Sequence, residues 1–254
     1  MSQGFFDHLV QWEFTRNSTT RTLPYRYFDT TSLAVIYTAE TIKVRELLSH
    51  PDMNPVELIP GRCLVAFACF EYRKTDGPPY NEVSISFLIT FKKRQIPGLT
   101  AAKMLLSRTI SSYVWQLPVT TEQARAGGAD LFGYPKFIAD IDFESDNDWI
   151  TCTIYANGKG ILALKGRKLP TRQSKPIRYI TYTTENDTPL VAEILVNPKE
   201  YAESYQNKDV NFTLLHGHEI SETLAQLGLG KRALVYQYSP FNQSILYPAR
   251  NLLP

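Results

Sequence analysis

The chain has 254 residues, 43 % hydrophobic and 20 % charged, a balance that fits one large globular domain or two small ones. A formal charge of +2, with no basic run interleaved with aromatics, excludes the electrostatic footprint of a nucleic-acid or anionic-membrane binder. Cys63, Cys69 and Cys152 lack CxxC spacing, no signal-peptide pattern opens the sequence, and no apolar stretch approaches a membrane span, so free thiols and a cytoplasmic location are expected.

In chain order, Phe5, Phe6, Leu9 and Trp12 are spaced for one face of a short amphipathic helix. Residues 33–38 read as a buried strand, followed by a helix over about 40–49 with Val44, Leu47 and Leu48 inward and Pro51 as its stop. Strand patterns cover 62–72 and 83–91, separated by the turn Thr75-Asp76-Gly77-Pro78-Pro79. A helix is predicted around 101–106 and a strand over 112–117. Thr120-x-x-Gln123 has capping-box spacing for a short helix, with Gly127 or Gly128 at its end. Gly133-Tyr134-Pro135 then forms a tight turn into an alternating strand over 137–143, with Phe137, Ala139, Ile141 and Phe143 on one face. Further strands are expected at 149–155, 161–164, 177–183 and 190–196, with a hairpin turn at Asn157-Gly158. A helix at about 219–227 closes on Gly228, and strands near 233–238 and 243–247 complete the chain. Roughly ten strands and a few short helices without βαβ alternation argue a single α+β domain over 1–254, mostly antiparallel.

Lys136 stands between the turn and its strand, next to Phe132, Tyr134 and Phe137. An ammonium group needs water, so an apolar pocket there favours a neutral amine, which is nucleophilic toward carbonyl carbon. On local sequence alone the same lysine also reads as an exposed residue beside a turn. Other chemistries lack their residues. GxGxxG, Walker, HExxH and GxSxG patterns are all missing, and the histidines form no ligand set, His216 and His218 being two apart and His8 and His50 isolated.

The run Gly-Ala-Asp-Leu-Phe-Gly-Tyr-Pro-Lys over 128–136 resembles the active-site segment of the acetoacetate decarboxylase family, in which Gly-Arg-Glu leads through Gly-Tyr/Phe-Pro to the Schiff-base lysine. Gly128, Tyr134, Pro135 and Lys136 match, while Ala129 replaces Arg and Asp130 replaces Glu. The stretch from Leu23-Pro24-Tyr25-Arg26-Tyr27-Phe28 through the next strand and helix is similar to the family's opening, with Thr30 at the position of a pocket arginine. Glu82 takes the place of a glutamate that precedes a strand across the pocket. Gly217-His218-Glu219 looks like the family's Asp-His segment, so His218 either faces the pocket or serves as a cap, and Phe137 stands where a second lysine follows the first. Residues 95–110 look like an insertion, expected at a pocket rim or an oligomer contact.

The resemblance implies a cone-like central β-barrel with the lysine inside. It implies Lys136 as the iminium-forming nucleophile, Glu82 as proton shuttle or orienting group, and a pocket drawn from Thr30, Phe132, Tyr134, Phe137 and His218. It also implies a small keto-acid substrate, no metal or organic cofactor, and a homo-oligomer. Decarboxylation of a β-keto acid is the reaction expected first. An aldolase or dehydratase on a pyruvate-like acid is the alternative, and a non-catalytic binding or structural protein on the same fold is a further one. Burial among Tyr134, Phe132 and other apolar side chains is the expected means of activating the lysine.

Overall fold

The computed structural model describes residues 4–252. The chain opens with a hairpin, β1 (Trp12–Arg16) and β2 (Thr19–Leu23). Asn17 and Ser18 both have positive φ, 47° and 63°, as a two-residue hairpin turn requires. The helix expected around Phe5 and Trp12 is absent: residues 5–8 form a turn, and Trp12 already begins β1. Phe6 instead packs on Phe28, centroids 5.1 Å apart.

The body follows as β3 (Tyr25–Glu40), α1 (Thr41–Glu46), β4 (Met53–Pro55), β5 (Glu57–Ile59), β6 (Arg62–Thr75) and β7 (Tyr80–Phe91). Next come α2 (Leu99–Ser107), β8 (Thr109–Val119), α3 (Glu122–Phe132), β9 (Lys136–Ile138) and β10 (Asp140–Ser145). The last part holds β11 (Trp149–Ala156), β12 (Lys159–Arg167), β13 (Ile177–Glu185), β14 (Thr188–Ser204), β15 (Val210–Leu214), α4 (Glu219–Gln226), β16 (Val235–Leu246) and β17 (Arg250–Asn251). Most elements run longer than the sequence pattern suggests, because ladder pairing carries strands through polar positions that break the hydrophobic alternation. The two final strands are one, β16, whose pairing is interrupted by irregularities between Ser239 and Ser244.

Seven strands close on themselves in the order β7-β6-β3-β16-β14-β13-β8, with β8 pairing back onto β7. All these pairings are antiparallel except β13 with β8, and β9 joins the far edge of β8 in parallel, Lys136 opposite Leu117. A second sheet, β10-β11-β12-β15, lies outside the barrel. The main core is between the two. Leu33, Val35, Phe67, Cys69, Val83, Ile85 and Phe87 are fully buried and join Ile141, Cys152, Ile154, Leu162 and Leu164 in one cluster. The alternate residues of the same strands, Ser32, Ala34, Ala66, Ala68, Ser84 and Ser86, face the barrel interior and line a cavity. The barrel is therefore packed on its outside and open within.

Strand β9 ends at Ile138 and β10 begins at Asp140, so the single strand expected over 137–143 is shared between barrel and outer sheet. Its predicted face holds: Phe137, Ala139, Ile141 and Phe143 all belong to the main core. Lys136, of opposite parity, points the other way, into the barrel.

The three cysteines are free and buried, and burial pushes the Cys63 thiol up to about 11. Since only thiolate reacts, about one thiol in a thousand is competent at Cys63 near pH 8 even before access is considered. A disulfide exchange reagent at pH 8 is expected to titrate no cysteine on the native time scale and all three once urea unfolds the chain. Rapid stoichiometric reaction of the native protein would contradict this packing.

Candidate active site

Helix α3 and the turn after it fix the lysine. Thr121 is the N-cap, its side chain accepting from the Ala124 amide at 3.3 Å, one residue later than the capping-box pattern suggests. The helix does not stop at Gly127 or Gly128 but continues to Phe132, held by the buried Leu131 and Phe132. Gly133 makes the left-handed turn instead, φ 63°, and a Cβ there would come 2.7 Å from Leu190 Cδ1. Gly128 has a different role. A Cβ on it would collide with Lys136 Cδ and Cε and lie 3.0 Å from Nζ. The glycine inside α3 is thus the groove in which the lysine side chain lies.

The lysine ends on Glu82. Nζ is 2.6 Å from Oε2, and the two side chains are 6 % and 9 % exposed. Glu82 sits in β7 between Phe70 of β6 and Val119 of β8, and β8 in turn pairs with β9, so Glu82 and Lys136 reach each other over a single intervening strand. Tyr72 donates to its Oε1 at 3.3 Å, and Tyr27 and Tyr80 share a hydrogen bond at 3.2 Å beside it. The Tyr80 ring lies under the ammonium, centroid to Nζ 5.4 Å. Burial, and then the nearby Glu82 carboxylate, raises Tyr27, Tyr72 and Tyr80 well above the usual phenol value. Burial also raises Tyr134, whose hydroxyl is 2.7 Å from Thr181 Oγ1. These phenols are hydrogen-bond donors at any physiological pH.

Lys136, Glu82, Phe132 and Tyr134 all line one cavity of about 420 Å³. Thr30, Phe137 and His218 are not in its wall. Thr30 is fully buried where the pairing of β3 is irregular, and its hydroxyl has no hydrogen-bond partner among the described residues. Phe137 faces the outer core and stacks on His218, centroids 6.3 Å apart. His218 is the N-cap of α4, its Nδ1 accepting from the Ile220 amide at 3.2 Å. Burial of the lysine is also not purely apolar, since a carboxylate touches the amine. Sequence reading missed Tyr27, Tyr72 and Tyr80, which meet in one buried cluster. Arg21 of β2 also lines the cavity, a cation that no motif singled out. Residues 95–110 contribute Leu105, Arg108 and Ile110 to the wall, which makes this segment the rim at the end of the barrel remote from Lys136. Among the described residues no His, Cys, Asp and Glu side chains are grouped as metal ligands.

The closed barrel thus holds a buried amine and a carboxylate in contact within its cavity. The chain belongs to the acetoacetate decarboxylase family, whose model, described as "Acetoacetate decarboxylase (ADC)", matches residues 13–239. No curated protein matches it in sequence. Among solved structures it is similar to an acetoacetate decarboxylase from Legionella pneumophila subsp. pneumophila str. Philadelphia 1, with TM-score 0.65 and 15 % identity over 91 % of this chain and 89 % of that one. It is also similar to the enduracididine biosynthesis enzyme MppR, in complex with the condensation product of pyruvate and imidazole 4-carboxaldehyde, with TM-score 0.62 and 13 % identity over 90 % and 88 % of the two chains. An acetoacetate decarboxylase-like enzyme from Sphingomonas wittichii RW1 gives TM-score 0.55 and 14 % identity over 90 % and 92 %. At these identities the structures establish the fold, the barrel expected from the resemblance.

Two outcomes follow from the geometry. Gly128→Ala is expected to fold, since alanine suits a helix interior, yet to displace Lys136, so that amine-directed labelling of Lys136 by a keto acid and borohydride falls at least tenfold. Peptide mapping by mass spectrometry reads this directly. Lys136→Met leaves Glu82 buried without its partner and is expected to cost about 3–5 kcal/mol in urea unfolding, whereas Lys136→Met/Glu82→Gln recovers most of that loss. A single variant as stable as the parent would mean that the pair is not buried as described.

Proposed function

We propose that the chain is a Schiff-base lyase that decarboxylates a β-keto acid to a ketone and CO2. The observation that carries this reading is the contact of Lys136 Nζ with Glu82 Oε2 at 2.6 Å inside the barrel cavity. Within that contact the ammonium can pass a proton to the carboxylate, which leaves an amine lone pair and a carboxylic acid side by side. The lone pair attacks the ketone carbon, and the carbonyl π pair moves to oxygen, which takes the proton from Glu82. The attacking nitrogen, now cationic, returns one of its protons to Glu82, which passes it to the carbinolamine hydroxyl, and water leaves as the iminium forms. Its cationic nitrogen accepts the electron pair of the bond to the carboxylate carbon as CO2 leaves. The resulting enamine is protonated at carbon, and hydrolysis frees the ketone and the lysine. The iminium nitrogen is itself the electron sink, so this sequence calls for no metal or organic cofactor.

The tyrosines suit this sequence. Tyr27, Tyr72 and Tyr80 surround the pair with rings, keeping bulk water from the localised carboxylate charge, whose spreading in the transition state is favoured by an apolar wall. Tyr72 holds the second oxygen of Glu82 and so leaves Oε2 turned toward the amine.

A second reading is an aldol condensation or dehydration on a pyruvate-like acid. The enamine is common to both routes and can attack an aldehyde instead of taking a proton. It is favoured by the likeness to the enduracididine enzyme, whose structures include a complex with pyruvate. Incubation with acetoacetate or pyruvate and borohydride is expected to add mass at Lys136. Lys136→Ala should abolish the adduct, and Glu82→Gln should slow its formation by about 10²-fold or more, as loss of a general acid–base does. Headspace CO2 from acetoacetate separates decarboxylation from condensation. Labelling at some other lysine, or at none with any keto acid, would refute the Schiff-base reading.

A further inference from the structure

The cavity does not end at the lysine. Along β7, Glu82, Ser84, Ser86 and Leu88 all face it. At about 3.4 Å per residue that line is about 20 Å of strand, or roughly 15 Å along the axis of a barrel with strands tilted near 40°. A seven-stranded barrel is narrow enough for ordinary side chains to fill. This one is kept open by small residues at successive inward positions. Ala34, Ala66 and Ala68 stand on β3 and β6, and Ser84, Ser86 and Ser112 stand on β7 and β8. Register sets Ala68 beside Ser84 and Ala66 beside Ser86, so a strip of methyls and a strip of hydroxyls run next to each other along one wall of the passage. It leads to Arg108 on the rim formed by α2 and β8. Among the described residues the Arg108 guanidinium is held by neutral acceptors only, Ser174 Oγ at 2.9 Å, the Lys175 carbonyl at 2.6 Å and the Pro176 carbonyl at 3.1 Å.

A volume of about 420 Å³ is of the size that encloses a drug-sized ligand, far beyond a four-carbon acid. We propose that the site takes a long-chain oxo acid bearing oxygen functions along its chain, with its keto carbon at Lys136, its tail along the alanine and serine strips, and its far end at Arg108. The proposal rests on the Schiff-base reading and assigns its substrate class. The tail gains burial of methylene groups along one strip and hydrogen bonds to serine along the other. Tail contacts are remote from the bonds that change, and so set which acid reacts.

The test measures the concentration of acid giving half-maximal borohydride labelling of Lys136, with fresh acetoacetate, 3-oxooctanoate and 3,5-dioxooctanoate. The expected order is acetoacetate weakest, 3-oxooctanoate at least tenfold better, and the dioxo acid better again. Ala66→Leu, which fills the passage beside Ser86, should bring the ratio of long to short acid to near one. Where thermal melting shows that variant to be unstable, Ala34→Val serves in its place. Acetoacetate labelling as well as or better than both longer acids would overturn the long-chain assignment and leave the Schiff-base reading standing. An unchanged ratio in the filled variant would overturn it too. A dioxo acid no better than 3-oxooctanoate would overturn the role given to the serines. No labelling with any acid would remove the Schiff-base reading and this assignment together.

Discussion

The contact between Lys136 and Glu82 is the constraint on which the rest of the structure depends. Two opposite charges taken out of water are tolerated only when each is held against the other and their remaining valences are satisfied. Every local oddity of the neighbourhood serves that end. Gly128 inside α3 gives the lysine its groove, the left-handed Gly133 turns the chain back, and parallel pairing of β9 with β8 aims the amine inward. Tyr72 completes the carboxylate and the Tyr80 ring meets the ammonium. A helix with adjacent glycines at 127 and 128 has little intrinsic preference to form, so its tertiary contacts carry it, through Leu131 and Phe132 beneath the barrel mouth.

The barrel and the outer sheet are joined through the same short segment. Phe137 and Ala139 enter the core between the sheets while Lys136 enters the cavity, so one residue step separates the anchor from the reactive group. His218, capping α4 and stacking on Phe137, belongs to the anchor. The lysine is therefore positioned from behind by a packed layer rather than from the side by a neighbouring cation.

Much of this was legible before the fold was known. Gly133-Tyr134-Pro135-Lys136 marked a turn delivering a lysine, and the alternation from Phe137 to Phe143 correctly gave the buried face. Asn157-Gly158 made the hairpin turn it signalled, with φ of 52° and 71°. Four kinds of information were not local. The end of α3 was misread because glycine signals a stop in most contexts, whereas here Gly128 is demanded by a side chain eight residues on. Thr30 and Phe137 were assigned to the pocket by position in a motif, but strand irregularity in one case and strand parity in the other turned them away from it. The tyrosine cage escaped notice because its members come from β3, β6 and β7 and meet only through the register of those strands. The break between β9 and β10 is likewise invisible to alternation, which continues unchanged across it.

The separation of duties across each barrel strand has an evolutionary consequence. In most small proteins a change at an inward position disturbs the packing that holds the fold together, so new specificities arise at the expense of stability. Here Leu33, Val35, Phe67 and Ile85 belong to the main core, and the residues between them line the cavity. The lumen can change in size and polarity while a different set of positions in the same strands holds the architecture. A lineage built this way can diversify its ligands by interior substitution alone, which accords with a fold that persists at 13–15 % identity.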